Sequence, residues 1–239
     1  MPHYETLASL HAVAGTGALV AFWTAGLARK GSRPHVFAGR AYLVAMVVLL
    51  ALAVPLTVTQ IALGRPFGWF LAFLLVLTGT SCWTSWRAIR DKASFARYTG
   101  PVHRTLGVLN LASGLAMLGY GLSLGQPVFM GFSLVGVFAG IGMLRMRGRG
   151  PVDARWWLRE HLGGMTGNAI ATHIAFFSIG LPRLFPELSG PLLQNLAWFG
   201  PLAIGFAVQA LVLRRWDRAG TRAPAAAGVR GVPPGAAGA

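Results

Sequence analysis

Acidic residues are scarce in this chain of 239 residues, which has six Asp and Glu against 21 Lys and Arg. All six, Glu5, Asp91, Asp153, Glu160, Glu187 and Asp217, fall between long apolar runs or at their ends. No run therefore carries the embedded carboxylate common in proton relays and cation-coupled transport, which argues against a proton-coupled transporter. Cysteine occurs once, at Cys82, so no disulfide can form within the chain. A membrane zinc hydrolase would need a carboxylate base near its metal. Neither His-x-x-Glu-His nor a Glu beside His11 or His173 is present. P-loop and nucleophile-elbow signatures are also missing, so nothing points to phosphoryl transfer or acyl-enzyme chemistry.

What the sequence has in quantity is apolar surface. Hydrophobic residues make up 54% and charged residues 11%, with a mean hydropathy of +0.58. That leaves too few polar side chains to cover a soluble globule of this length. The formal net charge of +15 would ordinarily suggest nucleic acid. Here the charge is confined to short segments between apolar runs and to the C-terminal tail, so anionic lipid headgroups are the expected partner and nucleic acid is not.

Stretches long enough to cross a bilayer, roughly 20 residues at about 1.5 Å per residue, are read at Thr6–Ala28, Val36–Leu56, Phe67–Trp86, Pro101–Leu124, Val128–Leu144, His161–Leu181 and Leu192–Leu213. The expected fold is all-α, a polytopic membrane domain of seven transmembrane helices over residues 1–218. Nineteen of the 21 basic residues lie after the first, third, fifth and seventh runs, and only Arg65 and Arg183 lie elsewhere. Cytoplasmic loops retain Lys and Arg, so the N-terminus is expected outside and the C-terminus in the cytoplasm of a bacterial inner membrane. The first run is preceded by no basic segment and followed by Arg29 and Lys30, so it reads as a retained helix rather than a cleaved signal. Residues 219–239, rich in Ala, Gly and Pro, are expected to form a disordered tail. Small-residue pairs at Gly121/Gly125, Gly136/Gly140 and Gly163/Gly167 have the spacing that lets membrane helices approach closely. The tryptophans near the run ends read mostly as an interfacial belt.

Three of the runs open alike. The second begins His35-Val-Phe-Ala-Gly39-Arg-Ala-Tyr42, the fourth His103-Arg-Thr-Leu-Gly107-Val-Leu-Asn110, and the sixth His161-Leu-Gly-Gly164-Met-Thr-Gly-Asn168. Positions i, i+4 and i+7 share a helical face. The chain thus reads as three helical hairpins of common design plus a closing helix, each hairpin presenting a His–Gly–polar stripe.

The segments Lys30-Gly-Ser-Arg-Pro-His35-Val-Phe-Ala-Gly39-Arg40-Ala-Tyr42 and Trp157-Leu-Arg-Glu-His161-Leu-Gly-Gly-Met165-Thr-Gly-Asn-Ala-Ile-Ala171, with the early His11, resemble an uncharacterised family of bacterial multi-helix integral membrane proteins. The likeness extends to about Leu184. It implies an inner-membrane location and no assigned activity. One departure is Val36, where the family has a basic residue after the histidine; His103-Arg104 keeps that pattern. The His-Arg-x-Leu-Gly opening of the fourth run is more loosely similar to transmembrane b-type cytochromes and ferric-reductase-like proteins.

The candidate site residues are histidines. His35, His103 and His161 open three runs on the basic side and form an expected inner layer. His173 follows His161 by twelve residues, roughly 18 Å deeper. His11 enters from the other side, so His11 and His173 are expected at similar depth as an outer pair. Two layers of paired imidazoles are what a transmembrane electron carrier with b-type haems uses, with Arg40 or Arg104 placed to meet propionates. A three-histidine metal site from His35, His103 and His161 fits the same layer. The alternative reading is a non-enzymatic permease or a structural or accessory subunit whose histidines cap and bridge helices, with Asn168, Thr172 or Thr16 as partners for His173 and His11.

Overall fold

The computed structural model describes residues 2–187 and 190–222. Among the described residues the chain is helical with no strand. The helices are α1 (Pro2–Leu27), α2 (Arg33–Ala62), α3 (Pro66–Arg90), the single turn α4 (Phe95–Tyr98), α5 (Pro101–Leu124), α6 (Pro127–Arg149), α7 (Trp156–Ala175), a π-helical segment (Phe176–Gly180), α8 (Leu181–Leu184) and α9 (Pro191–Arg222). Local chemistry sets their starts. Proline stands in the first turn of α2, α3, α5 and α6, where its missing N–H has no helical partner to lose. Ser32 caps α2 by accepting from the His35 backbone N–H. Gly64 and Gly125, at φ +68° and +61°, lie in the short α2–α3 and α5–α6 connections in a conformation that a side chain would strain.

Six helices, α1, α2, α3, α5, α6 and α9, are long and apolar enough to cross a membrane, so the chain is built as a multi-pass membrane protein. The run expected at His161–Leu181 falls on α7, the π segment and α8. It is continuous with its neighbours in helical form, but His161, Asn168, Thr172 and His173 lower its apolar character. The polar α7 is not peripheral. It packs on α3 most extensively and also on α9 and α1, while α1 pairs with α2 and α5 with α6.

Glycine permits the central α3–α7 contact, with Gly167 of the expected pair lying against Ser81 and Gly164 in place of Gly163. A Cβ on Gly164 would stand 2.7 Å from the Ser85 backbone nitrogen and 2.8 Å from the Ser81 carbonyl oxygen, whereas one on Gly163 would meet nothing nearer than Gln209 at 3.7 Å. Gly136 and Gly140 do lie against neighbouring backbone, and Gly121 against Phe129 and Met130. Gly125 instead terminates α5.

Two tryptophans also depart from the interfacial belt. Trp198 joins Phe70, Phe73, Met117, Phe129, Phe132, Ile170 and Ile174 in an apolar core. Trp156 joins Ala88 and Tyr98 in another. Trp69, Trp86 and Trp216 remain exposed as a belt requires. At the C-terminus, α9 runs on through Arg222, past the expected boundary at 218, and the remainder of the expected tail lies outside the described residues.

Candidate functional site

The basic segments meet at one end of the bundle, where several side-chain contacts join them. Lys92 lies over the Trp157 ring, Tyr98 donates to Glu160, and Arg159 pairs with Asp153 and Asp217. His35 and His161 stand in this layer. The His35 Nδ1 lies 2.9 Å from the Ala25 carbonyl oxygen on α1. The His161 Nδ1 lies 2.9 Å from the Ser85 carbonyl oxygen on α3. A carbonyl only accepts, so each Nδ1 carries the proton, and in a neutral ring Nε2 is left as a lone-pair donor.

A buried polar seam continues from His161 into the bundle. Ser85 donates to the Cys82 carbonyl, the Cys82 thiol donates to Asn168 Oδ1 at 3.2 Å, and the Asn168 amide donates to Ser85 Oγ. Beyond it, Thr172 donates to the Asn168 carbonyl, and its hydroxyl lies 2.9 Å from that of Tyr42. Tyr42, Asn110 and Asn168, the residues seven positions beyond the three expected inner histidines, are all wholly buried. Asn110 donates to Thr80 Oγ1 at 2.7 Å and leaves its own Oδ1 without a partner.

Asn168→Leu should test what the seam contributes. It strands the Cys82 thiol in a dry interior, while Ser85 keeps its own bond to the Cys82 carbonyl, and the expected cost is about 1–3 kcal/mol. Thermal unfolding in detergent would measure it, with Thr16→Val as the reference. The Thr16 hydroxyl bonds only its own helix, at the Ala12 carbonyl, so that change should stay within about 0.5 kcal/mol.

His103 lies in the same layer but across α3 from the other two. It is wholly buried, and neither ring nitrogen has a partner. Tyr98 and Trp83 pack on it with ring centroids 5.0 and 5.9 Å away, and Trp156 packs on Tyr98 behind. The inner histidines are thus a pair and a separate third residue, not a cluster of three. No group of three or more His, Cys, Asp or Glu able to hold a metal occurs among the described residues.

The expected outer pair is not formed. His173 packs its ring on Phe22 and Trp23 of α1 at 5.4 and 5.7 Å. Those residues are eleven and twelve positions from His11, roughly 16–18 Å along the helix. His11 instead stands near Leu49 of α2 and Arg183, with its Nδ1 buried and without a partner. Depth counted from helix starts failed because side chains lean toward their own helix N-terminus. On antiparallel α1 and α7 that lean brings His173 and Trp23 toward each other and carries His11 away. The partners differ from those expected as well: His173 Nδ1 lies 2.8 Å from the Ala169 carbonyl oxygen of its own helix.

Sequence reading missed the Tyr98–Glu160 contact, in which the hydroxyl donates to Oε2 at 2.9 Å. Burial holds the Glu160 carboxyl above its ordinary range, and the Tyr98 bond opposes that shift. Burial and then the adjacent carboxylate push the Tyr98 hydroxyl up as well. The two residues are 62 positions apart, and no motif links them. Glu160 and His161 are neighbours in sequence, yet they face Tyr98 and Ser85 respectively. No family model, no curated protein and no solved structure matches this chain.

Proposed function

We propose that the protein is a bacterial inner-membrane haem b protein of transmembrane electron transfer, with His35 and His161 as the residues that would hold the haem. The observation that carries this reading is their shared arrangement: each imidazole gives its Nδ1–H to a backbone carbonyl of a neighbouring helix. Such a partner fixes the tautomer and orients the ring, as the outer shell of metal-ligating histidines does. The donor set decides between a bare ion and a macrocycle. Two imidazoles without a third ligand leave a tetrahedral ion short of partners, whereas a porphyrin brings four equatorial nitrogens and needs only axial ones. The chemistry a bound haem supplies is one-electron transfer. The protein's own part is to hold both rings in one tautomer and to set Arg33 and Arg40, in the first turns of α2, where propionates would meet positive charge. His11, His103 and His173 are outside this ligand set.

The same reading takes the run His161–Leu181 as a sixth crossing, packed against α1, α3 and α9, and α9 as the seventh. The asymmetry of basic residues then puts the N-terminus outside and the C-terminus in the cytoplasm, with anionic headgroups against the basic loops.

Absorption spectra of the detergent-purified protein, oxidised and then reduced with dithionite, test the proposal, with iron analysis on the same sample. A Soret band with sharp reduced α and β bands is expected in the wild type and His103→Ala. Both should be lost from His35→Ala and His161→Ala that still elute as folded protein. A colourless, iron-free wild type from haem-replete cells would overturn the proposal and favour an accessory subunit or permease with structural histidines.

A further inference from the structure

An open groove of about 530 Å³ runs between α1 and the junction of α7 with the π segment. That volume is in the range of pockets for small organic ligands. Leu19, Val20, Trp23 and Phe177 give it apolar and aromatic walls. Its one hydroxyl, on Thr24, already donates to the Val20 carbonyl at 2.7 Å. The remaining polar groups are the indole N–H of Trp23 and the His173 imidazole, and of these the imidazole is the acceptor. With Nδ1 committed to Ala169, Nε2 of the neutral ring is an acceptor, and it is buried with no partner.

An unpaired buried acceptor needs an explanation, because leaving one unmade costs about 1–3 kcal/mol. Trp23 stands edge-on to the His173 ring at 5.7 Å and is half exposed, at 52%. It is therefore the side chain able to turn aside and uncover Nε2. The helix is also altered at this point. The π segment begins three residues after His173, and such segments concentrate at functional sites. It presents Phe176 and Phe177 to the groove. Val20 and Leu27 on the open side are 63% and 80% exposed, on a helix apolar enough to cross a membrane. An occupant would thus enter from the acyl-chain region.

We infer that this groove binds a lipid-soluble hydroxyaromatic of the quinol class, its ring against Trp23 and Phe177 and one O–H donated to His173 Nε2. Each part of that chemistry answers a feature of the site. The walls call for an apolar body, the aromatic residues for a flat ring, and the lone acceptor for a hydroxyl donor. An oxidised quinone has the same ring and tail but only acceptors, so it cannot make the bond. The assignment holds whether or not His35 and His161 carry haem.

The test is equilibrium retention of decylubiquinol and, separately, decylubiquinone on the immobilised full-length protein in nanodiscs under anaerobic conditions. Saturable quinol binding about tenfold tighter than quinone binding is expected for the wild type, one hydrogen bond of about 1.4 kcal/mol being a factor of ten. This comparison needs no variant. His173→Phe, which keeps a ring in place, should retain quinone binding and lose the preference for quinol. Equal affinity for both forms in the wild type, no saturable quinol binding, or a preference that survives His173→Phe would each overturn the assignment.

Discussion

Gly164→Val is expected to leave little correctly assembled protein. The new Cβ would stand 2.7 Å from the Ser85 backbone nitrogen and 2.8 Å from the Ser81 carbonyl oxygen. Backbone cannot rotate aside as a side chain can. α3 and α7 would have to separate, opening the contact on which the Ser85–Cys82–Asn168 seam depends. Overpacking typically costs about 1–3 kcal/mol and occasionally more, and a rigid backbone obstacle puts this position at the upper end. Gly163→Ala is the matched control, since its Cβ meets nothing nearer than Gln209 at 3.7 Å. Alanine is the better helix former by about 1 kcal/mol, so a neutral or slightly raised unfolding temperature is expected there. Scanning fluorimetry in detergent compares the two, and equal losses would show that α3 and α7 are not in close backbone contact.

Tyr98→Phe should produce the second large loss, one that grows with pH. The hydroxyl is the donor that meets Glu160 Oε2, and removing it leaves a partly buried carboxylate oxygen without that bond. The expected cost at neutral pH is about 2–3 kcal/mol, at the charged end of the range for a lost partner. The sign with pH follows from burial, which raises the Glu160 pKa in the folded state. A raised carboxyl pKa means that the folded protein holds its proton more tightly than the unfolded chain does. The associated stability is fully present below the unfolded carboxyl range, near 4, and is lost as pH rises through the folded value. Tyr98→Phe removes the bond that opposes the shift, so the decline from acidic to neutral pH should be steeper than in the wild type. Glu160→Gln keeps an acceptor for Tyr98 and removes the titration, so its unfolding temperature should vary less over that interval. A Tyr98→Phe variant whose loss is the same at pH 5 and pH 8 would separate Tyr98 from Glu160 energetically.

Four helix starts were legible to within three residues, since the runs read from Val36, Phe67, Pro101 and Val128 begin as helices at Arg33, Pro66, Pro101 and Pro127. The wholly buried Tyr42, Asn110 and Asn168 were legible too, as one register position in three similar sequences. Hydropathy was a poorer guide where helices touch each other rather than lipid. Trp156 and Trp198 have the composition of interfacial residues, yet tertiary contacts place them in cores, since a tryptophan near a helix end faces either lipid or a neighbour by the rotation of its helix. The same ambiguity hid Gly164 behind Gly163, one position and about 100° apart on the helix. Of the candidate site, residue type was readable and pairing was not. His35 and His161 are each oriented by a hydrogen bond to a backbone carbonyl, on α1 for the first and on α3 for the second. His11 and His173 are kept apart by the lean of side chains along antiparallel helices. Tyr98 with Glu160 and His173 with Trp23 leave no trace in sequence, because each depends on helices far apart in the chain.

The interior position of α7 bears on how the protein is made. A segment carrying His161, Asn168, Thr172 and His173 partitions weakly into lipid from the insertion machinery, where each polar side chain near the centre of a helix adds to the cost of entry. Its principal neighbour α3 is synthesised earlier, whereas α9, which lies on another side of it, is synthesised later. During translation the segment must therefore lodge against α3 while its other flank is still bare. On the proposed topology of seven crossings, biogenesis of this protein has a vulnerable interval, from the emergence of Trp156 until α9 is in place, in which the chain is open to misinsertion and to quality-control proteases.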